Sequence, residues 1–213
     1  PSGSLAPVSL SLFIGAFMFG TGMQLANGCG SGVLFSFGGG SGRMFVALPF
    51  FVIGSVLGSI ILPPVLALGS LGQVEIGAGL SGFGKLAVNL ALLLSAAALF
   101  GWLGARRGFF LSRKMLLATA MIALLCWGVF WVSQHPWGVT FGFTLWGAKI
   151  ASAIGVPMED FTFWTWPGPQ RALTHSVLSD TSSLMDFAMI IGAGLTAAVT
   201  GAFAKSAGPD ARQ

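Results

Sequence analysis

The charged residues of this chain are confined to a few short segments, and this distribution restricts the possible folds more than any motif does. Between those segments lie five apolar stretches without a charge, each close to the roughly 20 residues that a membrane-spanning helix needs. They are Val8–Ala26, Met44–Leu62, Leu86–Ala105, Met115–Ser133 and Phe187–Ala204. Only 8% of the 213 residues are charged, against about 25% in a soluble domain. We therefore predict an all-α fold, a polytopic membrane helix bundle with about five spanning helices.

The basic residues predict how these helices are oriented. Four of them, Arg106, Arg107, Arg113 and Lys114, crowd one loop that contains no acid, and such loops favour the cytoplasmic side. Alternating the spans from there places residues 67–84 and the end of the fourth span outside, and Lys205 inside. The net charge of +4 is too small and too local to indicate nucleic acid binding, so it serves here only as a signal of orientation.

Two further apolar segments, Val33–Gly39 and Val139–Gly155, are too short to span a membrane. The second lies between two spans whose facing ends are both outside, so we predict that it enters the membrane and returns as a re-entrant half-helix. Short or interrupted apolar segments of this kind are typical of transporter binding sites. We expect a single transmembrane domain over residues 1–206 and a polar tail at 207–213. The absence of an initial methionine and of a basic leader indicates a processed chain or a fragment.

A glycine-rich turn, Gly28-Cys29-Gly30-Ser31-Gly32, interrupts the apolar sequence after the first span. Irregular backbone at membrane depth is tolerated only where it is buried in protein or lines a polar cavity, so we interpret the turn as a broken helix facing a substrate path. If a half-helix begins near Ser31, the free N–H groups of its first turn can bind an anion. The alternative is a loop at the membrane surface with a glycine C-cap.

Cys29 is the candidate side chain of this turn. Its S–H group is a weak donor on a polarisable sulfur, suited to contacting a soft sulfur atom in passing; a buried cysteine can equally serve packing alone. Nucleophilic chemistry needs a neighbouring base or cation, and none is near in sequence. We therefore predict no catalytic residue and no enzyme, and we assign Cys126, in a plain apolar run, to packing.

The remaining ionisable residues give one further candidate. Lys149 is the only charge in its apolar run, and such residues are functional candidates at membrane depth, although a lysine can also extend to the interface. Asp186 is expected to cap the last helix, and Asp180 to be an acid of an external loop. His135 and His175 lack the spacing of metal ligands, so neither a metal nor a cofactor is predicted.

Three stretches of the chain resemble the YeeE/YedE family of sulfur-compound transporters, and the resemblance covers most of residues 15–204. The first contains Phe19-Gly20, Gly22 and Leu25-Ala26-Asn27-Gly28-Cys29-Gly30-Ser31-Gly32. The second contains His135-Pro136-Trp137-Gly138 and Leu145-Trp146-Gly147-Ala148-Lys149-Ile150. The third contains Trp164-Thr165-Trp166-Pro167, Arg171-Ala172-Leu173 and Ser176.

This resemblance implies a multi-pass protein of the bacterial inner membrane that takes up thiosulfate or a related sulfur compound. It also implies two pseudo-symmetric halves with short inward-pointing helices, and cysteines that pass the ion along by S–H contacts. Cys29 matches the cysteine of the family's Gly-Cys-x-Ser-Gly motif. The second glycine–cysteine motif of the family does not appear, so we expect either a partial chain of a larger inverted-repeat transporter or half of a split system.

These observations predict a membrane permease for a small sulfur oxyanion, most simply thiosulfate. Cys29 would contact the sulfur, the amides of 28–32 would hold oxygens, and Lys149 would offset charge. The alternatives are a membrane subunit of a sulfur-handling redox system and a selenium-compound carrier of the same fold. The expected partners are the lipid bilayer and a cytoplasmic sulfur-carrier protein that the basic loop at 106–114 would receive.

Overall fold

The computed structural model describes residues 8–67, 69, 72, 79–106, 112–134 and 137–203, and these residues form helices without a strand. The α-helices are α1 Leu10–Ala26, α2 Gly30–Gly38, α3 Gly42–Leu66, α4 Gly82–Arg106, α5 Arg113–Ser133, α6 Val139–Ala153, α7 Pro167–Thr174 and α8 Thr181–Val199. Three 3₁₀ turns, Met158–Asp160, Thr162–Thr165 and Val177–Ser179, lie between α6 and α8. The predicted all-α fold is confirmed.

Five segments are long and apolar enough to cross a membrane: α1 with α2 as Leu10–Gly38, and then α3, α4, α5 and α8. They coincide with the five uncharged stretches of the sequence, with shifted ends. The first span extends twelve residues beyond the predicted Ala26 because it includes α2, and α8 begins six residues before the predicted Phe187. The described part of the chain is thus a multi-pass helical membrane protein.

The cap of α8 corrects one prediction. Asp180 has an extended backbone, and its side chain accepts a hydrogen bond from the Ser183 N–H at 2.8 Å. An N-cap residue must precede the helix and reach its first free N–H groups, and Asp180 meets both conditions. The prediction that Asp186 caps this helix was wrong, because Asp186 lies inside α8.

The first compact unit of the chain contains α4 and α5. Neither helix has a buried residue, so their apolar side chains form surfaces that lipid can solvate. The Arg106 guanidinium lies 3.8 Å from the ring centroid of Trp102, a cation–π contact at the end of α4. Ser112 caps α5 by accepting a hydrogen bond from Met115 N at 3.2 Å.

The second unit contains α2, α3, α6, α7, α8 and most of α1. Its packing centres on α6, which lies against α3 and α8, and on α2, which lies against the same two helices. A buried cluster of Leu145, Ala148, Met158 and Trp164 ties α6 to the turns that follow it. The backbone of α6 comes close to α3 at Gly147, where a Cβ would overlap the side chains of Val52 and Val56. Small residues at such crossings are typical of membrane helix packing.

The short helix α6 matches the predicted half-helix in position and length. Its 15 residues span roughly 22 Å at 1.5 Å per residue, less than the hydrocarbon core of about 30 Å. The chain then turns through the first two 3₁₀ turns and α7, which pack back on α6. Entry of α6 into the membrane stays a prediction.

Helix α3 does not stop at Leu62, the predicted end of the second span. It continues through Pro63 and Pro64 to Leu66, because a proline removes the donor of one bond while its own carbonyl can still accept. The Ala67 N–H closes the last turn on Pro63 O at 3.2 Å. Several predictions fall outside the described residues: those on Arg107, His135, Lys205, half of the loop at 67–84 and the tail at 207–213.

Candidate functional site

The break between α1 and α2 is built by a hydrogen-bonded helix end. Asn27 has a left-handed backbone with φ of 56°. The Gly28 N–H donates to Met23 O at 3.1 Å, and the Asn27 N–H donates to Gln24 O at 3.4 Å. These two bonds around a left-handed residue define a Schellman motif. Asparagine tolerates this conformation better than most residues, so Asn27 ends α1 where the sequence analysis had considered only a glycine.

Cys29 begins the next helix. Its backbone is extended, with φ of −83° and ψ of 176°, and it is the N-cap of α2. The first helical hydrogen bond of α2 runs from Val33 N to Cys29 O at 2.8 Å, so the N–H groups of Gly30, Ser31 and Gly32 belong to the turn that has no intrahelical acceptor. The predicted broken helix is therefore present, with the thiol at its opened turn.

The thiol of Cys29 is half-buried and has polar surroundings. Its Sγ lies 3.1 Å from Ser31 Oγ. Gly32 faces the sulfur, since a Cβ built there would lie 3.7 Å from Sγ. The structure thus brings the thiol, a hydroxyl and the glycine backbone of the predicted site together in one turn.

A second helix begins against this turn. A Cβ at Gly30 would lie 3.4 Å from both Val139 Cγ1 and Phe143 Cε2, so the start of α2 contacts the first turns of α6. Gly138, the N-cap of α6, faces Ser182 at the start of α8, with 3.5 Å between a built Cβ and Ser182 Oγ. The amino ends of α2, α6 and α8 therefore adjoin one another. Each such end carries a partial positive charge.

The packing of α2 on α8 indicates how far along α8 the thiol lies. Gly38 approaches Ala193, whose Cβ is 3.0 Å from a Cβ built on the glycine, and Gly40 meets Phe203. The backbone therefore runs in the same direction through α2 and α8. Counting back from Gly38 along a parallel helix places Gly30 beside the first two turns of α8. Those turns contain Ser182 and Asp186.

Asp186 is the buried polar residue that the sequence analysis missed. It is 0% exposed, and its Oδ1 accepts a hydrogen bond from Trp137 Nε1 at 2.9 Å. Among the described residues, Oδ2 has no hydrogen-bond partner. It lies against α6 at Gly142, where a Cβ would overlap it. An acid within an apolar helix is itself a signal of function, and it was set aside in favour of a capping role.

Further polar contacts line the same α6–α8 contact. Trp146 Nε1 donates to Ser183 Oγ at 3.0 Å, and the Trp146 ring stacks on Phe187 at a centroid distance of 4.9 Å. A cavity of about 560 Å³ opens above, lined by Gly138 and Ser182 together with Arg171, His175 and Asp180. The contact thus runs from an open cavity to a closed polar interior.

Lys149 is placed away from the cysteine turn. Its Nζ donates to Leu173 O at 2.8 Å, in the last turn of α7. Lys149 is ten residues beyond Val139, roughly 15 Å along α6 from the turn that Gly30 contacts. The geometry supports a role in holding α7, and substrate contact by Lys149 stays a prediction. Cys126 is exposed on α5.

The fold and the interrupted helix define the class: a multi-pass helical membrane protein with a broken helix beside short helices. Comparison with known proteins gives the family. The sulphur transport family model matches residues 1–213, so the chain belongs to that family, the YeeE/YedE family of sulfur-compound transporters. No curated protein and no solved structure matches the chain.

Proposed function

We propose that this protein is a permease of the bacterial cytoplasmic membrane for a small sulfur oxyanion, with thiosulfate as its main substrate. The observation that carries the proposal is the position of Cys29. It is the N-cap of a half-helix whose first residue, Gly30, meets the start of α6. The thiol therefore lies beside the amino ends of α2 and α6.

The chemistry of the turn suits a dianion with one soft sulfur and several oxygens. The Cys29 S–H can donate weakly to the sulfur, and the N–H groups of Gly30, Ser31 and Gly32 can donate to oxygens. Two helix ends supply about one positive charge in total. This is enough to admit an anion and too little to retain it, as passage through a pore requires.

A transport assay tests this proposal. Cells without their own uptake system would carry the gene, and entry of labelled thiosulfate would be measured. Loss of a hydrogen bond from a weak S–H donor is worth about 0.5–1 kcal/mol, so Cys29→Ala should lower uptake at limiting substrate about two- to fivefold. Cys126→Ala, at the exposed cysteine of α5, is the matched control and should transport normally. Equal uptake by all three proteins would remove Cys29 from the mechanism.

Selenium analogues would bind by the same chemistry, because selenium is also soft and polarisable. Competition of selenosulfate with labelled thiosulfate would measure the preference. A much stronger inhibition by selenosulfate than by unlabelled thiosulfate would make the selenium compound the better substrate.

A cytoplasmic sulfur-carrier protein is the proposed partner. The support is the charge at Arg106, Arg113 and Lys114, which would attract an acidic surface. Replacing Arg113 and Lys114 by Gln should weaken capture of the carrier and leave vesicle uptake intact. Unchanged capture would place the docking site elsewhere.

A further inference from the structure

The carboxylate of Asp186 lies inside an apolar helix, and no lysine or arginine of the described residues forms a hydrogen bond with it. It is fully buried, with one hydrogen bond from Trp137 to Oδ1 and no partner for Oδ2 among the described residues. Ionisable groups in such positions are costly in the charged state, and they are found in proton relays of pumps and transporters. A bound proton removes that cost.

The elements packed on α8 supply no nearby counter-charge. They are chiefly α2, α6 and the turn Val177–Ser179. The single ionisable side chain of α6 is Lys149, which donates to Leu173 O. The ionisable group at α2 is the thiol of its N-cap Cys29, and the turn Val177–Ser179 has no ionisable side chain. Asp180, six residues before Asp186, is bonded to Ser183 N.

Asp186 is close to the cysteine turn through α6. Gly30 lies against Phe143, and Asp186 lies against Gly142, the preceding residue of the same helix. A charged carboxylate here opposes the positive helix ends that would attract an anion. Protonation of Asp186 would remove that opposition.

The cavity lies about one helical turn from the Gly142–Asp186 contact. Gly138 and Ser182 line the cavity, and each is four residues before a partner in the Gly142–Asp186 contact. A spacing of four residues puts both pairs on one side of their helices, roughly 6 Å apart along the axis. The buried Ser182 thus lines the cavity about one helical turn before the carboxylate of Asp186.

We infer that Asp186 binds the proton that accompanies the anion: its carboxylate takes up one proton from the cavity as thiosulfate enters the cysteine turn, and it releases that proton to the cytoplasm with the anion. This inference rests on the proposed function. Because binding is reciprocal, thiosulfate should raise proton affinity as protons raise thiosulfate affinity. One proton with a dianion moves one net negative charge inward, so an inside-negative potential should slow uptake.

Vesicles containing the full chain provide the test. When the pH is one unit lower outside the vesicles than inside, wild-type protein should accumulate about tenfold more thiosulfate, if one proton accompanies each anion. Asp186→Asn keeps the shape and stays neutral, so it should still exchange labelled for unlabelled thiosulfate and lose the response to the gradient. Asp160→Asn, the same change at an exposed position, should retain that response. An Asp186→Asn protein that responds like wild type would overturn the inference.

A binding measurement separates this inference from the proposed function. In weakly buffered detergent solution, addition of thiosulfate should cause wild-type protein, and not Asp186→Asn, to take up protons. If wild-type protein exchanges thiosulfate without taking up a proton, the inference about proton coupling is wrong and the proposed permease function is retained. If wild-type protein does not exchange thiosulfate at all, the permease itself fails and the coupling fails with it.

A second variant tests the same inference in case the Asp186→Asn protein does not fold. Trp137→Phe keeps an aromatic ring and removes the N–H that donates to Oδ1. This donor favours the ionised carboxylate, so its loss should shift half-maximal uptake toward higher pH. An unchanged pH profile would count against Asp186 as the proton site.

Discussion

Asn27 is the residue that creates the opened turn at Cys29. Its left-handed backbone lets two bonds close the end of α1 before the chain extends into the N-cap of α2. The thiol therefore reaches its position through the conformation of a neighbour that contacts no substrate in our proposal. The glycines that follow leave room for α6 and for the sulfur.

Substitutions at Asn27 should separate conformation from contact. A β-branched residue in the left-handed region costs about 1–2 kcal/mol, so Asn27→Val should lower the thermal stability of the purified protein and its uptake. Asn27→Gly, which adopts this backbone without strain, should stay near wild type. If Asn27→Gly lost uptake as fully as Asn27→Val, the amide side chain itself would be required.

Gly142 is a steric counterpart at the same scale. A Cβ there overlaps Asp186 Oδ2, so Gly142→Ala should lower the free energy of unfolding by about 1–3 kcal/mol through overpacking. The control is Gly192→Ala in α8, where a Cβ meets nothing within 4 Å and alanine should add up to about 1 kcal/mol. Thermal unfolding in detergent measures both, and equal effects would contradict the close contact.

At the scale of the element, α7 depends on a bond from another helix. It has eight residues, too few to be stable by propensity, and Lys149 of α6 donates to one of its last carbonyls. A cation at a helix carboxyl end also favours the dipole. The same lysine could not easily serve an anion at Gly30.

Lys149→Ala discriminates between holding α7 and binding substrate. We expect faster amide exchange across α7, by a factor of about 5–10 for roughly 1 kcal/mol of lost bonding, with little change in thiosulfate affinity. Hydrogen exchange and a binding titration give the two numbers. Weakened binding at unchanged exchange would restore the earlier prediction that Lys149 offsets substrate charge.

At the scale of the whole molecule, the two cysteines face different surroundings. Cys126 is exposed on α5, which has no buried residue and is apolar enough to span. Cys29 is half-buried beside a hydroxyl and helix amino ends. Each is thus a probe of its own unit.

Thiol labelling of the two single-cysteine variants should report that difference. A small water-soluble maleimide should modify Cys29, and thiosulfate should slow that reaction; Cys126 should react chiefly with a lipid-soluble maleimide because its helix faces hydrocarbon. Mass spectrometry counts the adducts. Labelling of Cys29 that is indifferent to thiosulfate would argue against an anion at the turn.

The spanning helices were predictable because their signal is a sum over about 20 residues, which no single contact can reverse. The exact ends of these helices were not predictable, because they depend on which of several neighbouring residues adopts the capping conformation. Asp180 and Asp186 both precede the last apolar stretch, and only the backbone geometry decides which of them caps α8. The turn at Cys29 was predicted from its glycines, although Asn27 creates it.

The missed residues share a cause. Asp186 is far in sequence from Gly142 and Trp137 and meets them only where α6 packs on α8. Sequence patterns within one helix do not contain that information. The partner of Lys149 is hidden in the same way, since a backbone carbonyl has no sequence signature.

One feature of α2 bears on how the protein adapts to its bilayer. The half-helix is fixed by Gly38 against α8 and by Gly30 against α6, whereas α1 before it has no buried residue. Bilayers differ in hydrocarbon thickness, and a helix free of protein neighbours adjusts by tilting. We expect α1 to lean and straighten with its lipid surroundings about the joint at Asn27, while the thiol keeps its place.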